Sequence, residues 1–178
     1  MLRIRNRSPV GDLKLVASEK GLVAVLWPND NPARVKLLAP TENTEHPMLV
    51  EAARQLNEYF AGERRTFTVA QDPQGTAFQK RVWDALLTIP FGETRSYAQI
   101  AQQIGEPTAY RAVGAANGRN PLSIIAPCHR VIGTNGALTG FAGGLAQNRN
   151  CSLWRAAPQP PDHHVSTSQQ PTWQWRIS

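Results

Sequence analysis

The sequence has few cysteines and no long hydrophobic run. Its 178 residues include two cysteines, Cys128 and Cys151, and no Cys-x-x-Cys or zinc-ligand spacing, so we predict neither a disulfide framework nor a metal site. No apolar stretch reaches the about 20 residues that a membrane helix needs, and the N-terminus lacks a signal-peptide core. We therefore expect a cytoplasmic protein without membrane association. A lone thiol in that compartment is either buried filler or a nucleophile.

The charge balance favours a polyanionic partner. Nineteen Lys and Arg residues against 13 Asp and Glu residues give a net charge of +6. Cationic side chains that neutralise phosphates release condensed counterions, which favours nucleic-acid binding. Because many basic proteins bind no nucleic acid, the charge needs a motif beside it before it indicates a function.

The N-terminal segment has the pattern of an antiparallel sheet. Apolar residues alternate with polar ones at positions 2–4 and 13–15, and residues 21–27 form a short apolar run. Turn-forming residues at 9–11 and 19–21 separate these segments. The pattern predicts three short strands joined by tight turns.

A helix and a linker follow. Pro47 begins a segment whose apolar residues repeat at helical spacing until a glycine ends it, which predicts a helix. Residues 28–46 are predicted to be a loop, and residues 66–69 a further strand. The Asp-Pro-Gln-Gly stretch at 72–75 indicates a linker, so we place an N-terminal α/β domain at residues 1–73.

Beyond the linker the pattern is helical. Apolar residues at 78–87 share one helix face, and Ser96 is a suitable N-cap for a second helix over 97–104. A turn at 105–108 leads into a third helix through 111–116. Two short helices joined by a glycine-containing turn have the form of a helix-turn-helix. On pattern alone, an ordinary pair of antiparallel helices is the simpler interpretation.

A candidate nucleophile lies after these helices. Residues 122–126 are apolar and bounded by prolines, which predicts a buried extended segment that leads Cys128 into a turn. A thiol becomes a good nucleophile when a neighbouring imidazole accepts its proton, and His129 is adjacent. Consecutive side chains of an extended segment point to opposite sides, however. Without its flanks, such a Cys-His pair is more often structural than catalytic.

The flanks carry a specific resemblance. The run PCHRVIG at 127–133 follows YRAVGAANGRNP at 110–121, and GTAFQKRVWDALLTIPFGETRSYAQIA lies at 75–101. Together they resemble the O6-alkylguanine-DNA alkyltransferase family, closely over residues 76–147. The resemblance implies an α/β fold, with a small antiparallel sheet and helix like that of ribonuclease H. A mostly helical DNA-binding domain with a helix-turn-helix would follow at 74–147.

The resemblance also implies residue roles. Cys128 would accept the alkyl group from guanine O6, and His129 would draw off the thiol proton through a water molecule. Asn120 would tie the active-site segment to the helix-turn-helix, Tyr97 would donate to guanine N3, and Arg111 would fill the space that the extruded base leaves. Further base-contacting or DNA-contacting positions are Ala112, Gly114, Ala115, Val131, Phe141 (where the family usually has Tyr), Ala142 and Gly143.

The implied partner is duplex DNA that carries O6-alkylguanine, with O4-alkylthymine as an alternative lesion. The product is a thioether that no group here could hydrolyse, so each molecule would act once, as a monomer and without cofactor or metal. Without the resemblance, the alanine-rich helix would be read as a packing face, Tyr97 as a core aromatic and Arg111 as a solvated charge.

The C-terminal residues depart from the family pattern after Gln147. The family continues with a helix whose Glu supports the active-site histidine, whereas Arg155 stands at that position here. One nucleotide inserted before the Asn148 codon would let the shifted frame encode the family pattern. We therefore hypothesise that residues 148–178 are a frameshifted, disordered tail, and that it weakens alkyl transfer because a cation there disfavours protonation of the histidine.

Three competing functions are compatible with the sequence. The chain could be a DNA-binding relative that has lost alkyl transfer, a helix-turn-helix regulator with a structural cysteine, or a Cys-His hydrolase. The hydrolase is disfavoured because the sequence has no plausible orienting Asn or Asp besides Asn120 and no oxyanion loop.

Overall fold

A computed structural model describes residues 1–37 and 39–133. Its N-terminal part is a four-stranded sheet in the order β3-β2-β1-β4. Strands β1 (Leu2–Asn6), β2 (Leu13–Ala17) and β3 (Leu22–Leu26) pair antiparallel, as predicted. Strand β4 (Thr41–Glu42) pairs parallel to β1 and lies in the segment that we had predicted to be a loop. That prediction was wrong at β4 because a two-residue strand is too short to show an alternating pattern.

The first helix, α1, covers the sheet. It spans Pro47–Phe60, with Pro47 in its first turn as predicted. Its buried side chains line one face and pack against the sheet strands. Gly62 follows the helix with a φ of 80°, a left-handed conformation that glycine adopts without steric cost. The predicted helix is confirmed.

The strand predicted at residues 66–69 is absent, because a side chain satisfies the backbone there. The buried Gln55 of α1 accepts a hydrogen bond from the Thr68 backbone N–H at 2.9 Å and donates to the Thr68 hydroxyl at 2.9 Å. The chain reaches the sheet only later, where Leu22 N donates to Ala70 O and Asp72 N donates to Leu22 O. An amide side chain has therefore replaced strand pairing.

Helix α2 (Ala77–Leu87) begins with a capping box, in which Thr76 and Gln79 satisfy each other's backbone N–H groups. Val82, Trp83 and Leu86 are buried as predicted, whereas Leu87 is 41% exposed. The prediction that Leu87 lies on the buried face was wrong, because Leu87 is the last residue of the helix. The Trp83 indole donates to Ala116 O at 3.0 Å, which joins α2 to the last helix.

The two short helices predicted next are present. Helix α3 (Tyr97–Gln103) has Ser96 as its N-cap, and helix α4 spans Tyr110–Gly118. Gly105, with a φ of 79°, lies in the turn between them, and α3 packs against α4. Residues Arg95–Ser96 (β5) and Val131–Ile132 (β6) form a two-stranded parallel pair that we did not predict.

The N-terminal and C-terminal parts share one core. Residues of the sheet, α1, α2, α3, α4 and the segment 122–126 belong to a continuous hydrophobic cluster. Val25 N of β3 donates to Pro121 O at 2.8 Å, so the sheet is hydrogen-bonded to the segment that precedes Cys128. Among the described helices, none is long and apolar enough to cross a membrane.

Candidate active site

The segment before Cys128 is buried as predicted, but it is not extended. Ala126 N donates to Leu122 O and Ile125 N donates to Ser123 O, each at 2.9 Å, so the segment folds into tight turns. The Asn120 side chain closes this loop. Its carbonyl accepts from Leu122 N at 3.0 Å, and its amide donates to Ala126 O at 2.7 Å. The turns replace the predicted extended conformation because one buried side chain satisfies backbone groups at both ends.

The loop holds a strained residue. Ile124 has a φ of 75°, a region that β-branched residues rarely occupy. Such a conformation costs about 1–3 kcal/mol and persists where the surroundings over-determine it. Ile124 is 2% exposed, and the Asn120 clamp spans it. The segment that leads to Cys128 is thus held in one conformation by both packing and hydrogen bonds.

Cys128 begins a turn of 3-10 helix, Cys128–Arg130. It is a free cysteine and is 2% exposed. Its N–H donates to Ala126 O at 2.8 Å, and its carbonyl accepts a long hydrogen bond of 3.4 Å from the Asn117 side chain. Because the backbone is helical here, Cys128 and His129 do not alternate as they would in the extended segment that we predicted.

The electrostatic setting of the thiol has opposing components. Burial raises the pKa of the Cys128 thiol, and this is the largest effect. A hydrogen bond from the Asn120 side chain and the positive charge of Arg34 lower the pKa of the Cys128 thiol, but by less than burial raises it. The resting thiol is therefore protonated, and its use as a nucleophile requires a base to take its proton.

The residues after Cys128 are buried as well. His129 is 1% exposed and Arg130 is 4% exposed. Arg130 donates to Ile89 O at 2.9 Å and lies 5.3 Å from the centroid of the Phe91 ring. A buried guanidinium thus anchors the 3-10 turn to the loop that follows α2. Val131, also predicted as a site residue, is 2% exposed and lies in β6.

Helix α4 presents the other predicted site residues. Arg111, Ala112 and Ala115 are exposed on it. Gly114 is half-buried, and a Cβ built there would lie 3.7 Å from the Tyr97 ring. This is an ordinary van der Waals distance, so Gly114 faces the half-buried Tyr97 of α3 without a close contact that only glycine would allow. Phe141, Ala142 and Gly143 lie outside the described residues, as does the tail at 148–178.

Three residues of this region were missed in the sequence. Tyr110 is 45% exposed, and the Arg111 guanidinium lies 5.7 Å from its ring centroid. Asn117 lies four residues after Val113, on the buried face of α4, so a polar residue on an apolar face could have indicated it. Arg34 has no comparable signal, because its contact with Asn120 joins residues that are 86 positions apart.

The described residues offer no metal site. Within residues 1–37 and 39–133, no three His, Cys, Asp or Glu side chains lie close enough together to hold a metal ion. The functional groups that these residues bring together are the buried thiol of Cys128, the imidazole of the adjacent His129 and the side-chain amides of Asn117 and Asn120.

Comparison with known proteins decides the family. Residues 4–73 match the family model of the 6-O-methylguanine DNA methyltransferase ribonuclease-like domain, and residues 77–153 match that of the DNA binding domain. The chain is 52% identical over 139 residues to a methylated-DNA–protein-cysteine methyltransferase of Methanosarcina acetivorans, covering 78% of this chain and 87% of the relative. The chain belongs to the methylated-DNA–protein-cysteine methyltransferase family. The predicted family is confirmed.

Other members of the family support the same assignment. The constitutive methylated-DNA–protein-cysteine methyltransferase of Bacillus subtilis is 51% identical over 143 residues, covering 79% of this chain and 86% of the relative. The crystal structure of Mycobacterium tuberculosis OGT in complex with DNA is 45% identical, with a TM-score of 0.79, and covers 88% of this chain and 94% of that chain. The predicted mixed α/β fold is confirmed by this similarity. The family model for the DNA binding domain also extends past residue 147, where we placed the departure from the family.

Proposed function

We propose that this chain repairs DNA by transferring an alkyl group from O6-alkylguanine in duplex DNA to Sγ of Cys128. The main observation in support of this proposal is the buried free thiol of Cys128, which lies on a 3-10 turn after the loop that Asn120 clamps. Family membership and the similarity to a relative solved in complex with DNA support DNA as the partner. The regulator and hydrolase alternatives are not favoured by these similarities.

The chemistry is a single displacement. The Cys128 thiolate attacks the alkyl carbon, an S–C bond forms and the C–O6 bond breaks, and its electron pair returns to the guanine. The thiol proton passes to His129, and the restored guanine takes up one proton, so the overall exchange is balanced. Because burial raises the pKa of the Cys128 thiol, this transfer depends on a base beside the sulfur. The thioether product is stable, so each molecule acts once.

DNA would meet the exposed side of α4. The alkyl carbon cannot be reached inside a duplex, so the nucleotide must be extruded, at a cost of a few kcal/mol of unstacking. The exposed Arg111 is the side chain suited to fill the vacated stack. The exposed Ala112 and Ala115 lack long side chains, which favours close approach of α4 to a groove. On this proposal α3 and α4 act as a helix-turn-helix.

The remaining assignments complete the proposal. Tyr97 would donate to guanine N3, and the Val131 carbonyl would read the exocyclic amine. The loop residues Phe141, Ala142 and Gly143 would contact the extruded base.

The proposed organisation has two domains that act as a monomer. We assign residues 1–73 to the N-terminal domain and 74–147 to the alkyl-transfer domain, which the separate family matches at 4–73 and 77–153 support. The cytoplasmic location expected from the sequence stays a prediction.

The test uses a duplex that carries one O6-methylguanine. After incubation, intact mass and peptide mapping should find one methyl group on Cys128, and Cys128→Ser should gain none. DNA binding without a mass gain would instead support the relative that has lost transfer, and preference for one undamaged sequence would support the regulator. Sequencing the gene through the Asn148 codon tests the frameshift hypothesis, which codons unable to encode the family pattern would end.

A further inference from the structure

The side chain of Arg34 reaches from the loop after β3 to the active-site segment. Its Nη1 donates to the backbone carbonyl of Asn120. Its Nη2 donates to Asp30 Oδ2, and its Nε donates to Asp30 Oδ1 at 2.6 Å. The Arg34 and Asp30 side chains are 4% and 8% exposed. We propose that Arg34, oriented by Asp30, is a positioning residue for alkyl transfer, which holds the Asn120 clamp and places a positive charge near Cys128. This inference rests on the proposed function.

The ion pair is built to hold one geometry. Asp30 Oδ2 also accepts from Trp27 N at 3.2 Å, and Asp30 N donates to Trp27 O at 3.3 Å, so the carboxylate is fixed to its own turn. A guanidinium has a rigid planar fork, which matches a carboxylate in two places at once. With two of its nitrogens held by Asp30, the third points at Asn120 without further loss of side-chain freedom.

The contacted carbonyl belongs to the residue that closes the catalytic loop. Asn120 uses its side chain to hold Leu122 N and Ala126 O, and its backbone carbonyl to accept from Arg34. A shift of Arg34 would therefore shift the anchor of the loop that leads to Cys128. Buried side chains transmit such shifts because cores are close-packed.

Arg34 also contributes charge. Its positive charge lowers the pKa of the Cys128 thiol, in the same direction as the Asn120 hydrogen bond and against the effect of burial. The other titratable or charged groups nearest in the chain are His129 and Arg130, on the same 3-10 turn as the thiol. Arg34 thus brings a positive charge from the N-terminal part to the active site.

A purely structural role for Arg34 makes different predictions. If the ion pair merely tied the loop after β3 to Asn120, its loss would lower stability without changing how the thiol titrates. The distinguishing readout is therefore the pH dependence of Cys128 reactivity, measured without DNA.

The experiment compares Arg34→Met, Arg34→Lys and Asp30→Asn with wild type, in the full chain. Arg54→Met is the matched control, because Arg54 also pairs with carboxylates, Glu51 and Glu58, but lies exposed on α1. Three quantities are measured for each protein. They are the thermal midpoint, the rate of methyl transfer at saturating O6-methylguanine duplex, and the pH profile of Cys128 alkylation by iodoacetamide, read from the Cys128 peptide.

We expect Arg34→Met to slow transfer about 10- to 100-fold, the scale of a small misplacement of reacting groups, and to shift the iodoacetamide profile to higher pH. Arg34→Lys should keep the profile near that of wild type, because it keeps the charge, but should transfer more slowly, because one ammonium cannot reproduce the fork. Asp30→Asn keeps the cation, so its profile should not move to higher pH. Arg54→Met should leave the rate and the profile unchanged.

Wild-type rate and profile in Arg34→Met would overturn the inference. So would the same upward shift in Asp30→Asn as in Arg34→Met, because it would indicate general loosening. If Arg34→Met does not fold, the test rests on Arg34→Lys, for which we expect slower methyl transfer with an unchanged pH profile of iodoacetamide alkylation. Methyl transfer by Arg34→Lys at the wild-type rate would then overturn the inference. Failure of wild type to methylate Cys128 would refute the proposed function separately, because the iodoacetamide profiles need no DNA.

Discussion

The segment 120–131 and the exposed side of α4 are built in opposite ways. Every residue of the segment is buried, and its loop is clamped by Asn120 around a strained Ile124. Helix α4 presents Arg111, Ala112 and Ala115 to solvent. On the proposed function this difference would be a division of labour, in which the packed segment holds the reacting sulfur and the exposed side of α4 meets DNA. Changes in the segment should therefore affect chemistry and stability, and changes on α4 should affect DNA engagement.

The largest expected effect is from Cys128→Ser. The substitution keeps the size of the buried side chain but replaces a thiol with a much weaker nucleophile, so transfer from O6-methylguanine duplex should fall below detection. DNA binding, measured by fluorescence anisotropy, should be retained because α4 is untouched. Transfer at the wild-type rate would contradict the role of the sulfur, and loss of binding would contradict the separation of the two regions.

Asn120→Ala should have the largest effect on stability. It leaves the buried Leu122 N without a partner and removes one of the two hydrogen bonds to Ala126 O, which keeps the one from Cys128 N. Together these losses should cost about 2–4 kcal/mol of unfolding free energy. Asn117→Ala is the matched control, because it removes one long hydrogen bond of 3.4 Å and should cost about 1 kcal/mol. Urea unfolding measures both. An equal loss of unfolding free energy in the two variants would show that the Asn120 clamp stabilises the protein no more than a single long hydrogen bond does.

Arg111→Ala should change function without changing stability. The side chain is exposed, so the unfolding free energy should stay within about 0.5 kcal/mol of wild type. Transfer at limiting DNA should slow because the extruded base is no longer replaced, and Arg111→Lys should recover part of the rate. Arg119→Ala, an exposed arginine just beyond α4, is the comparison. If it slowed transfer as much as Arg111→Ala, the effect would be one of net charge alone.

The smallest expected effect is on the pH dependence of stability. Burial raises the pKa of the Cys128 thiol, so the folded state binds a proton that the unfolded state loses above about pH 8.5. Stability should therefore fall as the pH rises from the unfolded thiol pKa toward the folded one. Cys128→Ala should show a shallower decline over that range in urea melts. Identical slopes would mean that the thiol is not desolvated in the folded protein.

Much of the fold could be predicted from local patterns. Strands β1 to β3 and helices α1 to α4 follow from apolar periodicity and capping residues such as Ser96. The strand at 66–69 was wrongly predicted, because its apolar character reflects packing and Gln55 satisfies its backbone. Strand β4 and the β5–β6 pair were missed, because two-residue strands have no period to detect.

The candidate site, like the fold, has features that the sequence predicted and features that it did not. The motif around Cys128 and His129 was visible in the sequence, as were Asn120, Tyr97 and Arg111. The turns of residues 122–126 were not, because they depend on one side chain that bonds both ends of the loop. The exposed Tyr110 beside Arg111 had no distinguishing pattern either.

The sequence by itself determined the types of the longer elements, β1 to β3 and α1 to α4, together with the motif and the family, because those depend on residues that are close together in the chain. Tertiary structure alone decided that Arg34, paired with Asp30, reaches Asn120, that the thiol is buried and that Ile124 is strained. The reason is physical. The burial of the thiol and the approach of the Arg34 charge arise from groups that are distant in sequence, and the strain at Ile124 persists because packing holds its loop, so all three exist only once the sheet and the helices have packed into one core.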